Sequence, residues 1–346
     1  MANSTIELWS NDWMRGVRDD VPISELSIPG THDSGARMGD RFTKCQWRSI
    51  INQLKRGIRF LDIRCVYQLE DVSSGEYDVF FPVYHSSTYQ GITFEEVQAQ
   101  CVAFLDDNPD EFILMNLQME AAQKGSTPAD FRDKFWQLIA PYREKYWKLD
   151  DPAEAQAQCV KNGGTKEECR KRSVFTVEEC RGRIVLIRSY DAKTGAGWPG
   201  FPAADPRGPL GMVWNGFNID NVSDNDVFWT QNMWKPKNGT DKGKLVDRYI
   251  DEAAKYAGQG YLVLNFSSYS GVGGPVPGGN AHDMNRRIRD YLLPGGAGQY
   301  LKKIGIVVLD FMSNTGTNGD ACENVIITRG PYKQGYTFMG TDRGVL

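Results

Sequence analysis

The sequence lacks any apolar run approaching the roughly 18–20 residues of a membrane-spanning helix, so no transmembrane helix is expected. It also lacks an excess of one charge: 40 Lys+Arg stand against 44 Asp+Glu, a net charge of -4, with no block of like charge. The basic footprint of a dedicated nucleic-acid binder is therefore missing, and no nucleic-acid partner is expected. No segment repeats with the period of about 20–50 residues that marks solenoids and propellers, which excludes both. Histidine is scarce, with three in 346 residues. The seven cysteines, Cys45, Cys65, Cys101, Cys159, Cys169, Cys180 and Cys322, are odd in number and scattered. No complete disulfide framework follows, and the spacings are not those of a zinc ribbon. Cys159, Cys169 and Cys180 crowd a polar stretch where a local disulfide is open in an oxidising compartment, and the cysteines read as free or structural rather than as metal ligands. The opening MANSTIELWSNDWMRGVRDD has no continuous apolar core of the secretory-leader kind, although a mature chain stripped of its leader would look the same.

What is present is an ordinary globular composition, 40% hydrophobic and 12% aromatic, long enough for one large core, since barrels run past about 250 residues as a single unit. Eight apolar runs read as strands, at 23–28, 60–66, 79–84, 112–117, 184–187, 227–230, 261–266 and 304–311. Runs such as ILMNL, RIVLIR, YLVLNF and GIVVLD are nearly continuous, as parallel strands buried on both faces are. Between them, 93–107, 128–139, 244–256 and 285–293 carry apolar residues at helical spacing. Alternating strands and helices imply an α/β fold, and the count favours a single (β/α)8 barrel. Residues 121–180 read as a helical insertion within that domain, and 269–280, rich in Gly and Pro, as a loop over the barrel mouth.

Barrel active sites lie at the C-terminal ends of the strands. The residues found there are His32 and Asp33, Asp62 and Arg64, His85, Gln118 and Glu120, Arg188 and Tyr190, Asn265 and Ser267, and Asp310. Two of the three histidines belong to that group. Paired imidazoles with a fixed guanidinium suit phosphodiester cleavage by an adjacent hydroxyl, which needs a base, an acid and a cation for the phosphoryl charge. Each imidazole needs a carboxylate to set its tautomer, and Asp33 and Asp310 are available.

The run Ile28-Pro29-Gly30-Thr31-His32-Asp33-Ser34-Gly35, followed by Arg59-Phe60-Leu61-Asp62-Ile63-Arg64 and Val83-Tyr84-His85, resembles the X region of bacterial-type phosphatidylinositol-specific phospholipase C. Weaker similarity continues at 106–109, 181–188, 262–266 and 304–310. The resemblance implies a distorted single-domain TIM barrel, expected to be monomeric, that meets phosphatidylinositol or its glycosylated derivatives at a membrane surface. It makes His32 the base for the inositol 2-hydroxyl with Asp310 behind it, His85 the acid for the diacylglycerol oxygen, Asp33 the group orienting His85, and Arg64 the phosphate ligand. The products would be inositol 1,2-cyclic phosphate and diacylglycerol.

The resemblance also bears on cofactors and substrate. A calcium-dependent branch has an acidic side chain where Arg64 stands and Asn where Asp33 stands, so no cofactor is expected; were calcium used, Asp33, Asp62 and Glu120 would hold it. The chain departs from the metal-free members at Gln118, where they tend to have lysine, and at Gln231-Asn232-Met233-Trp234, where they have an acidic residue and a tyrosine. Arg188 matches. Asn232 would bond ring hydroxyls and Trp234 would stack on the sugar face. A different phospholipid head group and a silent lipid-binding module remain open beside the leading reading. Arg64 as a structural partner of Asp62 or Asp33 is the bland alternative to phosphate binding. Trp47 and Trp198 are candidate interfacial anchors, and His282 is given no chemistry. The family is commonly secreted, and both secretion and a cytoplasmic location are compatible with the chain.

Overall fold

The computed structural model describes residues 6–66, 68–73, 76–120, 134–135, 137–146, 152–189, 212–213, 222–224, 227–270, 277–312 and 321–340. The strands, in chain order, are β1 (Ile6–Trp9), β2 (Ser27–Thr31), β3 (Phe60–Cys65), β4 (Gln68–Ser73), β5 (Glu76–Phe80), β6 (Pro82–His85), β7 (Thr88–Thr93), β8 (Ile113–Met119), β9 (Ile184–Arg188), β10 (Met212–Val213), β11 (Val222–Asp224), β12 (Phe228–Gln231), β13 (Leu262–Phe266), β14 (Gly305–Leu309) and β15 (Tyr336–Gly340). Eight of them, β2, β3, β8, β9, β10, β12, β13 and β14, run parallel and follow one another round a curled sheet. The last returns to the first, Val308 pairing with Gly30, as barrel closure requires. Among the described residues no pairing joins β10 to β12, whose outer neighbour is the antiparallel β11.

The staves are apolar on both faces, and β8, β9, β13 and β14 are buried at every residue. One side of the staves joins a core containing Ile28, Phe60, Leu114, Val185, Phe228, Leu264 and Val308. The other packs Leu61, Ile63, Met115 and Leu186 against the helices Ile50–Lys55 and Phe94–Asp107. The second helix starts where Thr93 and Glu96 cap one another's backbone amides and buries Val97, Cys101, Phe104 and Leu105 at helical spacing. Helices Gly239–Ala257, Pro277–Leu292 and Cys322–Ile327 cover the β14 side.

Several expected elements are corrected. The 79–84 run is no stave: β6 pairs antiparallel with β3 at Cys65–Val83 and forms a hairpin with β7. The missing stave is β10, two residues long and without a run to announce it. The first half of 23–28 is a 3-10 turn, Ile23–Glu25, with the strand starting at Ser27. Helix Pro277–Leu292 begins eight residues before the expected 285, because Pro277 suits a first helical position; the expected mouth loop therefore ends at Pro277, and 271–276 lie outside the described residues. Most of the 128–139 helix lies outside them as well.

Within 121–180, the helices Pro152–Lys161 and Lys166–Ser173 are joined by a disulfide between Cys159 and Cys169, while Cys180 is free and buried. Arg170 lies 3.6 Å over the Tyr261 ring and donates to the Gln259 carbonyl, and Thr176 bridges Pro22. This places the helix Lys166–Ser173 and the residues after it at the N-terminal ends of the staves. On that same end Arg59 is fully buried, bonded to Glu111 at 2.7 Å and to the carbonyls of Leu54, Ile58, Ser10 and Asn11. Among the described residues no helix is long and apolar enough to cross a membrane.

Candidate active site

The C-terminal end of β2 turns sharply into the site. Gly30 has to be glycine, since a Cβ there would lie 2.8 Å from that of Phe60. Asp33 takes a left-handed backbone, φ 44°, which non-glycine residues adopt only when surroundings enforce it. Here the Asp33 amide donates to Asp62 Oδ2, the Ser34 amide to the Asp62 carbonyl, and the Asp62 amide to Ser34 Oγ. Thr31 Oγ1 donates to Gln53 and meets Ser34 Oγ at 2.7 Å. The polar residues around His32 thus weld the ends of β2 and β3 together.

The histidine is held from both sides. His32 Nδ1 is 2.8 Å from Asp310 Oδ1, just past β14, and Nε2 is 2.8 Å from Arg64 Nη2. A guanidinium can only donate, so Nε2 carries the lone pair and Nδ1 the proton given to Asp310; the tautomer is assigned from these partners. Burial lowers the His32 pKa and Arg64 lowers it further, but the ion pair and hydrogen bond to Asp310, with Asp62 nearby, outweigh them and raise it above the ordinary 6.5.

Arg64 is anchored by Asp62, with Nε and Nη2 at 3.3 and 3.0 Å from Oδ2, and its Nη1 lies 3.7 Å from Asp33. Despite burial, Asp62, Asp33 and Glu120 push its pKa further up, so its charge is permanent. Asp62 is buried, which alone would raise its carboxyl, but Arg64, His32, the Asp33 amide and Asn116 hold it below the ordinary value. Asp33 is different: burial raises its carboxyl, Arg64, His85 and His32 offset this only in part, and neither oxygen has a hydrogen-bond partner.

His85 ends β6. Its Nδ1 is 2.7 Å from the Thr43 carbonyl and 3.6 Å from Asp33 Oδ2. The backbone carbonyl fixes Nδ1 as the donor, leaving Nε2 free of that bond; Asp33 acts on the ring by charge across a slightly longer gap.

A cavity of about 400 Å³ gathers His32, Arg64, His85, Gln118, Glu120, Asn232, Trp234 and Asp310 on its wall. Asp33 and Asp62 sit buried behind it. Gln118 lies beside Arg64 in the β3–β8 register, its Oε1 buried without a partner. Arg188 is buried at the end of β9 and is not on this wall. Tyr190 and Trp198 lie outside the described residues. Asn265 and Ser267 serve packing instead, bonding Gln231, Val246 and Val308. His282 is exposed on its helix. The wall also holds Phe42, Cys45, Ser86, Ser268, Tyr269, Ser270 and Pro277, which reading strand ends could not find because most of them come from connecting segments.

Residues 20–140 match the family model described as phosphatidylinositol-specific phospholipase C, X domain. That segment carries both histidines of the cavity and Arg64; Asp310 reaches it only through the fold. The 1-phosphatidylinositol phosphodiesterase of Listeria monocytogenes is 30% identical over 130 residues, 36% of this chain and 37% of that protein. Its counterpart in Staphylococcus aureus is 24% identical over 139 residues, 39% of this chain and 42% of that protein. These matches span under half the length of either relative. The solved phosphatidylinositol-specific phospholipase C of Listeria monocytogenes superposes with a TM-score of 0.68 at 21% identity, covering 93% of this chain and 99% of that one. That of Staphylococcus aureus gives 0.70 at 18% identity, covering 93% and 98%. The fold of this chain is therefore shared with these solved structures.

Proposed function

We propose that this protein is a phosphatidylinositol-specific phospholipase C that cleaves its substrate by two-histidine acid–base catalysis without a metal. The observation that carries the reading is the convergence of His32, backed by Asp310, with Arg64 and His85 on one cavity at the C-terminal ends of the staves. His32 Nε2 takes the proton of the inositol 2-hydroxyl as that oxygen attacks phosphorus. Arg64 turns from Nε2 to the phosphoryl oxygens, still anchored on Asp62. His85, protonated and oriented by Thr43, gives its Nε2 proton to the departing diacylglycerol oxygen, and Asp33 steadies the imidazolium. The P–O bond to glycerol breaks and inositol 1,2-cyclic phosphate remains. Slow opening of the cyclic ester by water reverses the two histidine roles.

Calcium does not fit this donor set. Asp62 already accepts from Arg64, the Asp33 amide and Asn116, and the Arg64 guanidinium stands between Asp62 and Asp33. A hard ion wanting about six to eight oxygens would meet a fixed positive charge there. The head-group side of the cavity offers neutral donors and acceptors, Gln118, Asn232 and Ser268, suited to a polyol ring, and Trp234 supplies an aromatic face. On the segment that lends Phe42 to the cavity wall, Met38, Phe42 and Trp47 are each more than half exposed, with Arg41 over Phe42 and Lys44 over Trp47. This ridge supports transient contact with a bilayer.

Turnover of phosphatidylinositol vesicles by His32→Ala and His85→Ala tests the reading. Each variant is expected to lose about 10²–10⁴-fold while still sedimenting with vesicles. Full activity in either variant removes the mechanism, and vesicle binding by the wild-type chain without cleavage gives the binding-module reading instead.

A further inference from the structure

Cys45 occupies a place that the proposed catalysis leaves unused. Its thiol lines the cavity and lies 3.8 Å from His85 Nδ1. Asp33 Oδ2 is 3.6 Å from the same nitrogen, and the three ligand atoms lie within 4.8 Å of one another. Zinc–sulfur and zinc–nitrogen bonds of about 2.3 and 2.0 Å give tetrahedral edges of roughly 3.3–3.6 Å, so small shifts close this triangle on an ion. The backbone is set for it: the Cys45 amide donates to Ala36, and its carbonyl accepts from Phe311. Asp33 adds an independent sign: its charged contacts are long ones, Oδ2 lying 3.7 Å from Arg64 Nη1 and 3.6 Å from His85 Nδ1. It is fully buried, and both of its oxygens lack a hydrogen bond, an arrangement that costs free energy unless something else satisfies it.

We propose that Cys45, His85 and Asp33 form an inhibitory site for a thiophilic divalent ion, zinc being the type. A second triad, His32 with Cys45 and Asp310, shares the thiol, but its imidazole and carboxylate already satisfy each other at 2.8 Å. Calcium and zinc differ here by chemistry. Thiolate and carboxylate together cancel the charge of a dication beside Arg64, and a soft ion is satisfied by few ligands where a hard one seeks many oxygens. Binding releases the Sγ proton and the Nδ1 proton of the imidazolium to solvent, takes Nδ1 from Thr43, and leaves the single imidazole proton on Nε2. A metal-bound imidazole cannot be the imidazolium donor, so the ion blocks the acid. This last step rests on the function proposed above.

The test uses the full chain with its Cys159–Cys169 disulfide intact, stripped with chelator, and titrates it with Co²⁺ as a spectroscopic stand-in. The expected result is thiolate-to-cobalt charge-transfer absorption with tetrahedral d–d bands, displaced by zinc and lost in both Cys45→Ser and Cys45→Ala. Zinc should inhibit cyclic phosphate release from vesicles, and the inhibition should weaken in Cys45→Ser by more than the about 10–100-fold that losing an outer-shell partner costs. A spectrum without sulfur absorption, or one surviving in both variants, overturns the site. Sulfur absorption with undiminished turnover at saturating zinc overturns the inhibition. A chain that cleaves no phosphatidylinositol at all contradicts the proposed function, while the cobalt spectrum still decides the site.

Discussion

At the scale of single residues, the pairing of His32 with Asp310 controls when the base is available. Asp310 raises the His32 pKa against burial and Arg64. A base works when deprotonated, so activity rises with pH through that value. Asp310→Asn removes the larger raising influence and leaves Asp62 alone against burial and Arg64, and the acidic limb of kcat/KM against pH should move to lower pH, with a lower plateau because the imidazolium loses its nearest counter-charge. A limb that stays in place shows that His32 is not the titrating base. The side chains in this arrangement were readable from sequence as polar residues ending apolar runs. The group that holds His85 was not: a backbone carbonyl at Thr43 has no side-chain identity to read. Cys45 was equally hidden, because Asp33 and His85, which approach it, are far from it in sequence and only the fold brings them together.

At the scale of elements, the segment between β2 and the helix Ile50–Lys55 does two jobs. It carries the Thr43 carbonyl inward, and it presents Phe42 and Trp47 outward, Trp47 tilted on Phe311 at 4.8 Å between ring centres. Replacing Met38 and Trp47, both exposed and off the cavity wall, together with Ala should raise the apparent KM on vesicles severalfold with little effect on a soluble inositol phosphodiester; an equal loss on both substrates would place these side chains in the chemistry rather than at the membrane. Hydrophobic pattern located most staves but misjudged their company. The 79–84 run has the same composition as a stave and becomes a hairpin strand because β8, not β6, takes the parallel edge of β3. The two residues of β10 are too few for any periodicity to register. Helix Gly239–Ala257 exceeds the expected 244–256 because Asn238 caps the Asp241 amide and starts the helix earlier.

At the scale of the whole molecule, chemistry and stability occupy opposite ends of the staves, as this architecture favours. The Arg59–Glu111 pair, with neither side chain accessible, lies at the N-terminal end, and Glu111 also accepts from the Met14 amide. Glu111→Gln would leave the Arg59 charge buried without its partner, costing about 3–5 kcal/mol. Denaturant unfolding should show that loss, with kcat/KM unchanged where the variant stays folded; a change confined to activity would contradict the division. The barrel class was legible from alternating strands and helices, whereas the antiparallel pairing of β11 with β12 and the position of the 152–180 helices under the staves depend on contacts that no local pattern encodes.

The central claim is that two imidazoles and a fixed guanidinium cyclise the substrate without a metal. Phosphorus NMR of phosphatidylinositol vesicles incubated with the chain, once in EDTA and once with added calcium, tests it most directly. The account predicts inositol 1,2-cyclic phosphate as the first product in EDTA, at a rate that calcium does not raise. Product that appears only with calcium, or acyclic inositol phosphate without a cyclic precursor, would contradict it.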